Sequence, residues 1–536
     1  MSEVRAVWGE PAHSTSGPLP VSCDDVVIGA GVTGLVTALT LARAGRDVCV
    51  LEARRAGAGA TGRSTAKFSL LQGTRLQQVV QRQSVAIGRS YVAANRAGLE
   101  WLRAFCEDQG IVVQERVAAT YARSADEVGS VRTEHQTALE LGLDVAWHDG
   151  PLDGLPSHGA TTLAGQLQAD PVHLVQKLVA AVRSAGGRVV EGARVRRLSP
   201  DAATVHLEGG RSVRADSVVV ATGTPVMDRG LHVTQVKPMR SYTVAYRWDG
   251  RLEHMALSAG SDGRSVRDAV DRDGNQLLLV GGAGHVVGRT RDESAHLDRL
   301  RDWTRQHFAD AVEVAAWSAQ DYEPTHGVPL VGRMPLTRGR VRVATGFAKW
   351  GFTNGTAAAL AIASDIVGDE PLHLPGHYLG ATPAPASWAR NNATVGLRQV
   401  RDVAQVALPG AGDVGVTDAA RGCGICPHMG GVLHWNTAER SWDCPLHGSR
   451  FAPDGSVLEG PATRPAKVPS APETTWPAET GTQKGSPMQQ NEQSTPHDAS
   501  GGQVSEPEAN PVPPGQDPST TPGVDDTPQT APDQEH

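Results

Sequence analysis

Two short cysteine–histidine pairs near the carboxyl end of this 536-residue chain have the residue types of metal ligands. Cys426 and His428 form the first pair, and Cys444 and His447 form the second. Two thiolates and two imidazoles suit tetrahedral zinc as well as an asymmetric iron–sulfur pair, so ligand type alone leaves both metals open. The sequence therefore predicts a metal centre at these four residues.

The spacing of the four residues favours iron–sulfur over zinc. Zinc fingers pair Cys with Cys and His with His on separate elements, whereas each short loop here supplies one Cys and one His. In a [2Fe–2S] centre of mixed ligation, the thiolates bind one iron and the imidazoles bind the other, so each loop must supply one ligand to each iron. We expect such a cluster, with zinc as the alternative.

A glycine-rich turn near the amino end predicts a nucleotide site. The apolar run Asp25–Ile28 leads into Gly29, Gly31 and Gly34, a helical apolar pattern follows, and a second apolar strand ends at Glu52. The first glycine permits a tight turn, the second lets the backbone approach a pyrophosphate, and the third allows close helix–strand packing. The carboxylate accepts hydrogen bonds from a ribose. This is a Rossmann-type unit, which FAD and NAD both fit.

Further glycine loops suit a large ring system lying against backbone. Gly57–Lys67 is rich in small residues, and Ser217–Gly223 is predicted to be a buried strand ending in Ala-Thr-Gly. A late glycine loop, Phe347–Gly355, precedes a helix predicted over Thr356–Val367. Gly281–Gly288 lacks the third glycine that a second Rossmann motif requires, so we interpret it as a structural turn after a strand. The loops add these predicted cofactor contacts: Arg63, Ser64, Thr65, Gly223, Gly351, Thr353 and Asn354.

The motifs GAGVTGL, ATGTP and ATGFAKWGFTNGTAAA, together with residues 317–332, resemble FAD-dependent oxidoreductases of the D-amino-acid oxidase and glycine oxidase type. The resemblance covers residues 22–375 and implies FAD in the first motif, with an adenine contact at the backbone of Val195. Relatives often hold a substrate carboxylate with an Arg where this chain has Gln320, which argues against an amino-acid substrate. The candidates for a catalytic role are Lys67, Tyr242, His326 and Lys349.

The stretches CPHMGG and WDCPLHGSRF resemble Rieske [2Fe–2S] domains. The resemblance implies that the Ser449 hydroxyl bonds a cluster sulfide. Rieske proteins of cytochrome complexes also carry a disulfide, whose two positions are Gly431 and Leu446 here, so that bridge is not expected. Flavoproteins of the glycine oxidase type with a C-terminal Rieske domain form a bacterial family that this chain resembles.

The predicted fold is a Rossmann-type α/β FAD-binding domain with an interleaved α+β substrate domain, a small all-β Rieske domain and a disordered tail. An N-terminal extension covers residues 1–21, and the flavin module covers 22–375. A linker over 376–405 precedes the Rieske domain over 406–469. The tail, 470–536, is rich in Pro, Ser and Thr and has almost no large apolar residues, so it is expected to remain disordered.

Charge and composition exclude several classes of function. The net charge is -8, but the tail after Ser470 carries eleven acidic residues and one Lys, so the remainder is close to neutral. No basic stripe indicates nucleic acid, and no run of about 18 apolar residues indicates a membrane span. Six cysteines are too few for a disulfide scaffold. No secretory signal is apparent, so we expect a cytoplasmic location.

The two resemblances together imply an FAD-dependent dehydrogenase of an amine, amino acid or related small molecule. Electrons from the donor would pass from flavin to the cluster and on to an external acceptor, either a protein or a quinone. One alternative is an oxidase that uses O₂ and has a structural cluster, and another is a non-catalytic electron-transfer module. A Rieske oxygenase is disfavoured, because nothing after the cluster offers its mononuclear iron site.

Removing the acidic tail should leave both cofactors in place, because its composition gives it nothing to pack with. The test is a chain truncated after Ser470, assayed for flavin absorbance and iron content. A soluble truncated protein that has lost either cofactor would show that the tail is part of the fold.

Overall fold

The computed structural model of the chain describes residues 6–10, 17–290, 292–368, 385–407 and 424–471. Cys423 and most of the predicted disordered tail, from residue 472 on, lie outside the described residues. Among the helices described, none combines the length and the apolar character needed to cross a bilayer.

A mainly parallel sheet of eight strands carries the glycine-rich turn. At its centre β1 (Ser22–Ile28) pairs in parallel with β2 (Val48–Leu51). Helix α1 (Val32–Arg43) crosses between these two strands, as the sequence predicts. The central strands read as continuous apolar runs because both faces of the sheet are covered. The other strands are β7 (Arg188–Val190), β8 (Val195–Leu198), β9 (Thr204–Leu207), β10 (Ser212–Val220), β16 (Leu330–Arg333) and β17 (Val341–Thr345).

A second sheet of nine strands, largely antiparallel, packs beside the first. Its order is β15-β11-β14-β13-β12-β4-β6-β3, with β5 paired to β6. The chain passes back and forth between the two sheets, which confirms the predicted interleaving of the two subdomains. The strands are β3 (Lys67–Phe68), β4 (Gln114–Tyr121), β5 (Ala146–His148), β6 (Ala160–Gln168), β11 (Val236–Arg247), β12 (His254–Ser258), β13 (Arg264–Val270), β14 (Gln276–Val286) and β15 (Val312–Pro324).

Helices cover one face of the first sheet and enclose the largest core. Helix α1 packs against α5 (Pro171–Ser184) and α7 (Gly351–Val367), and α7 packs in turn against α3 (Val85–Asp108). Asp170 caps α5, because its carboxylate accepts hydrogen bonds from two backbone N–H groups of the first turn. The remaining helices of the flavin module are α2 (Arg75–Arg82), α4 (Val128–Glu140) and α6 (Ser294–His307).

A third, small sheet forms the cluster module. Its four antiparallel strands are β18 (His434–Asn436), β19 (Ser441–Asp443), β20 (Arg450–Phe451) and β21 (Val457–Glu459). Trp442 and Phe451 fill its core. Helix α8 (Pro385–Ala407) precedes it and contacts it, since Gln399 donates a hydrogen bond to the Gly430 carbonyl. The predicted linker therefore contains a helix that the sequence analysis did not predict.

Two local predictions were wrong. Residues Gly281–Gly284 lie inside β14 rather than in a turn, and Gly282, with φ of 146°, marks an irregularity in the pairing of β14 with β11. Helix α7 begins at Gly351, five residues before the predicted start, because the glycine loop itself winds into the first turn.

Replacing Gly34 by Ala should destabilise the flavin module by about 3 kcal/mol. A Cβ at residue 34 would lie 1.9 Å from the carbonyl oxygen of Gly29, so backbone must move. The measurement is the urea midpoint of unfolding, with Gly129→Ala in α4 as the control. That glycine has open space around it, so Ala there should be neutral or stabilising by about 0.5 kcal/mol. Equal midpoints for Gly34→Ala and the unmodified chain would contradict the packing role.

Candidate functional site

A cavity of about 420 Å³ lies where the glycine turn of the first sheet meets the second sheet. Ligands of doubly wound proteins bind at this carboxyl edge of the parallel strands. Nine of the twelve predicted cofactor contacts line it: Gly29, Gly31, Glu52, Arg63, Ser64, Thr65, Val195, Gly223 and Gly351. We call this cavity the cleft.

The residues of the cleft fit an FAD. Gly29 has a φ of 104°, and a Cβ there would lie 2.5 Å from the Ala221 carbonyl oxygen, so the turn requires glycine. The Glu52 carboxylate accepts hydrogen bonds of 2.9 Å from the backbone N–H groups of Ala30 and Arg54. Those bonds fix an acceptor at the end of β2, where a ribose is expected.

The other three predicted contacts lie outside the lining of the cleft. Gly34 faces the carbonyl of Gly29 inside the unit, and its role there is packing. Thr353 donates a hydrogen bond of 2.6 Å to Asn95 on α3, and Asn95 donates one of 3.0 Å to Asn354. Thr353 and Asn354 therefore hydrogen-bond α7 to α3 inside the core, away from the cleft lining.

Three of the four catalytic candidates line the cleft. Lys67 donates a hydrogen bond of 2.6 Å to the Ser265 hydroxyl, and burial together with the nearby Arg267 lowers the pKa of Lys67 to about 7. Lys349 lies beside Asp321, whose carboxyl pKa burial raises to about 6 against the opposing charge of that lysine. The cleft therefore offers an amine that is partly neutral near pH 7.

Tyr242 also borders the cleft, but its ring stacks on His285 with 5.7 Å between centroids. Burial raises the pKa of its hydroxyl. His326 lies apart from the cleft lining, beside Arg75 and Arg82, and burial lowers the pKa of its imidazole to about 4. The structure thus separates His326 from the other three candidates.

The four predicted metal ligands converge at one end of the cluster module. Cys426 and Cys444 are buried, and their sulfur atoms are close enough to hydrogen-bond, which lowers the pKa of Cys426 to about 7. The rings of His428 and His447 have centroids 5.3 Å apart, and the buried Nδ1 of His447 has no hydrogen-bond partner in the described chain. Two thiols and two imidazoles held together in this way fit a [2Fe–2S] cluster of mixed ligation.

The two ligand loops have the same backbone pattern. The N–H groups of Cys426 and Cys444 donate to the carbonyls of Gly431 and Ser449, five residues on in each loop. A Cβ at Gly431 would lie 2.7 Å from the Cys444 sulfur and 2.9 Å from Leu446, so these two positions are neighbours without a bridge. The Ser449 hydroxyl hydrogen-bonds to the Cys426 sulfur. It therefore lies beside a predicted cluster ligand, where the resemblance implies a bond to a cluster sulfide.

The second ligand loop rests directly on the flavin module. Gln320 on β15 lines the cleft, and its Nε2 donates a hydrogen bond of 2.8 Å to the Gly448 carbonyl and one of 2.9 Å to the Tyr322 hydroxyl. Arg289 donates a hydrogen bond of 2.9 Å to the carbonyl of Pro445. The cluster loop and the cleft therefore share a wall.

A buried ionic network fastens this contact. Glu439 of the cluster module accepts hydrogen bonds of 2.8 Å from Arg240 on β11 and from Arg450 on β20, and one of 2.7 Å from Ser318. Although burial alone would raise it, the two guanidinium groups bring the pKa of Glu439 to about 2. Sequence reasoning missed these residues, because charged side chains normally indicate exposed positions.

Comparison with protein families gives two matches within the chain. The model of the FAD dependent oxidoreductases matches residues 24–364, and the model of the Rieske [2Fe-2S] domain matches residues 418–472. The cofactors are accordingly FAD and a Rieske [2Fe–2S] cluster.

Some relatives match both the flavin module and the cluster module of this chain, and others match the cluster module alone. A putative Rieske 2Fe-2S iron-sulfur protein, YhfW of Bacillus subtilis, is 27% identical over 478 residues, which cover 83% of this chain and 93% of the relative. The cytochrome b6-f complex iron-sulfur subunit 3 of a Nostoc species is 51% identical over 43 residues, 8% of this chain and 24% of that protein. The first likeness spans the two modules, and the second is confined to the cluster region.

Solved structures with the same fold cover the flavin module. L-Proline dehydrogenase from P. horikoshii has a TM-score of 0.56 at 17% identity, covering 67% of this chain and 97% of that one. Glycine oxidase from Geobacillus kaustophilus has a TM-score of 0.54 at 20% identity, covering 66% and 96%. With the family match over most of the flavin module, the chain belongs to the FAD-dependent oxidoreductases of the D-amino-acid oxidase type and carries a C-terminal Rieske [2Fe–2S] domain.

Proposed function

We propose that this chain is a dehydrogenase of a small molecule with a C–N bond, and that its electrons leave through the Rieske cluster to an external acceptor. The observation that carries the proposal is the hydrogen bond between Gln320, which lines the cleft, and Gly448 of the cluster loop. Bound FAD supplies two-electron oxidation, and the cluster carries single electrons. A shared wall between their sites favours transfer inside one molecule.

A continuous set of contacts runs from the cleft to the candidate ligands. The ring of Tyr322 lies 3.3 Å from the Cβ position of Gly223, one of the predicted cofactor contacts. The Tyr322 hydroxyl accepts from Gln320, which in turn donates to Gly448. The N–H of Gly448 donates to the carbonyl of Cys444. Each step is a hydrogen bond or a packing contact within the protein.

The assignment to C–N bonds is supported by the residues around Lys67. Oxidation of an amine requires that its nitrogen lose a proton, and a lysine with a pKa of about 7 is a suitable acceptor near neutral pH. In our proposal Lys67 takes that proton at Nζ, while Asp321 and Lys349 orient the substrate. The solved structures of the same fold include enzymes named for L-proline and glycine, which supports the same class of bond.

Gln320 is unavailable to hold a substrate carboxylate. Its Nε2 donates to Tyr322 and Gly448, and its Oε1 accepts a hydrogen bond of 3.2 Å from Arg240. Gln320, which stands where the resemblance implies a substrate-binding Arg, therefore serves the contact with the cluster module. We propose that the substrate is held instead by the charged groups of Lys349 and Asp321, which line the cleft together with Lys67.

A suitable donor added without oxygen should reduce both centres. The measurement is the visible spectrum and the EPR spectrum of the anaerobic protein with a panel of small amino acids and secondary amines, including glycine and L-proline. In His447→Ala the EPR signal of mixed Cys and His ligation should vanish while donor still reduces the flavin. His434→Ala is the control, since this histidine of the same module is hydrogen-bonded to Asp402 and is no predicted ligand.

Two outcomes would contradict this proposal. Flavin reduction with an intact cluster that stays oxidised would favour an oxidase that uses O₂. Failure of every small donor to reduce the flavin would favour a non-catalytic carrier between redox partners.

Replacing Glu439 by Gln should loosen the cluster module, because Arg240 and Arg450 would then be buried without their counter-charge. The expected loss is about 3 kcal/mol, measured as a lower midpoint of thermal unfolding followed by the visible absorbance of the cluster. Since the folded pKa of Glu439 is depressed to about 2, its contribution is present above about pH 4.5 and is lost as the pH falls towards 2.

Glu208→Gln is the matched control for this prediction. Its pair with Arg196 is on the surface, with 55% of the glutamate side chain exposed, and such pairs contribute about 0–1 kcal/mol. Equal midpoints for the two variants would show that the buried network does not hold the module.

A further inference from the structure

One segment of the cluster module reaches into the wall of the cleft. Residues 457–463 follow the last ligand loop, and five of them line the cleft together with the glycine turn: Leu458, Glu459, Gly460, Ala462 and Thr463. Val195 and Gly223, two of the predicted cofactor contacts, line the same cavity. The wall of the nucleotide site is therefore built from both modules.

Contacts on both sides hold this segment in place. Arg194, next to Val195, donates a hydrogen bond of 3.0 Å to the Val457 carbonyl. Gly460 lies so close to the first sheet that a Cβ there would be 3.0 Å from the Val226 side chain. The segment is thus packed against the loops that follow β7 and β10 and is part of a built wall.

Glu459 in this segment has an unused hydrogen-bond acceptor. Its side chain is 13% exposed, and its buried Oε2 has no hydrogen-bond partner in the described chain. Arg240 and Arg450 approach its carboxylate at 3.7 and 3.8 Å, which are ion-pair distances longer than hydrogen bonds. The Glu459 side chain lines the cleft and, among the described residues, has ion pairs but no hydrogen-bond donor, so its carboxylate has acceptor capacity for a ligand there.

The chemistry of Glu459 selects the kind of donor. A carboxylate accepts hydrogen bonds and repels phosphate, so a hydroxyl group suits it and a pyrophosphate does not. FAD carries hydroxyls on its ribityl chain and its ribose. Glu52 already stands at the ribose position of the glycine turn, which leaves the ribityl hydroxyls for Glu459.

We propose that the Rieske module completes the FAD site, with residues 457–463 forming part of its wall and Glu459 accepting a hydrogen bond from a ribityl hydroxyl. This inference rests on the assignment of the cleft to FAD. Binding of FAD and folding of the cluster module are then linked, so each stabilises the other by the same free energy. The flavin module alone would hold FAD less tightly than the full chain.

The test is the affinity of the flavin-depleted full chain for FAD, measured by quenching of flavin fluorescence. Glu459→Ala should weaken binding by about tenfold or more, the effect of losing one hydrogen bond to a charged group. Asp454→Ala is the matched control, because this carboxylate lies in the same module and caps an exposed turn away from the cleft. The EPR signal of the cluster must persist in both variants.

Equal FAD affinities of the two variants, with the cluster signal intact, would overturn the proposal. If Glu459→Ala loses the cluster, amide hydrogen exchange of the unmodified chain with and without FAD tests the proposal instead. FAD should slow amide exchange in residues 457–463 as well as in 29–34, and protection confined to 29–34 would overturn the proposal. Neither experiment uses a donor or electron transfer, so their failure is distinguishable from failure of the proposed dehydrogenase activity.

Discussion

A carboxylate held between two guanidinium groups, all three buried, sets the relation between the two redox modules. Arg240 belongs to the second sheet, whereas Glu439 and Arg450 belong to the cluster module. Burying charges is costly unless each finds its partner, and removing one partner leaves a net charge in a low-dielectric interior. In the observed orientation of the module all three groups are paired, so this network stabilises the face that the module presents to the cleft.

The orientation has chemical consequences on both sides of the contact. It places the loop of Cys444 and His447 against β15, where Gln320 reaches the Gly448 carbonyl. It also brings residues 457–463 to the cleft wall. Gln320, at the position where the resemblance implies a substrate-binding Arg, is thereby engaged by the cluster module. In our proposal the substrate is instead held by Lys349 and Asp321, which line the cleft.

Features encoded by local spacing were predicted from the sequence. The glycine turn with Glu52 lies on neighbouring strands of one β–α–β unit, and each cysteine–histidine pair lies within one loop, so short-range patterns suffice. The predicted cofactor contacts of the late glycine loop, Phe347–Gly355, lie only partly at the cleft. Gly351 lines the cleft, but Thr353 and Asn354 already lie on the buried face of α7, where they hydrogen-bond to α3.

Features that depend on distant partners were not predictable. Arg240 and Glu439 are 199 residues apart in the chain, and neither residue stands in a motif. Gly281–Gly284 resemble a turn by composition, yet neighbouring strands hold them in β14. His326 is one of the four predicted catalytic candidates, but the path of the chain after β15 takes it away from the cleft. In each case contacts between distant parts of the chain determined the position of the residue.

The central claim is that electrons pass from flavin to cluster inside one molecule. Photochemical reduction of the flavin in the anaerobic protein, followed by rapid recording of the cluster absorbance, tests it without knowledge of the donor. The account predicts that the cluster is reduced in a first-order process whose rate constant is independent of protein concentration. A rate that rises in proportion to protein concentration, or a cluster that stays oxidised beside reduced flavin, would contradict it.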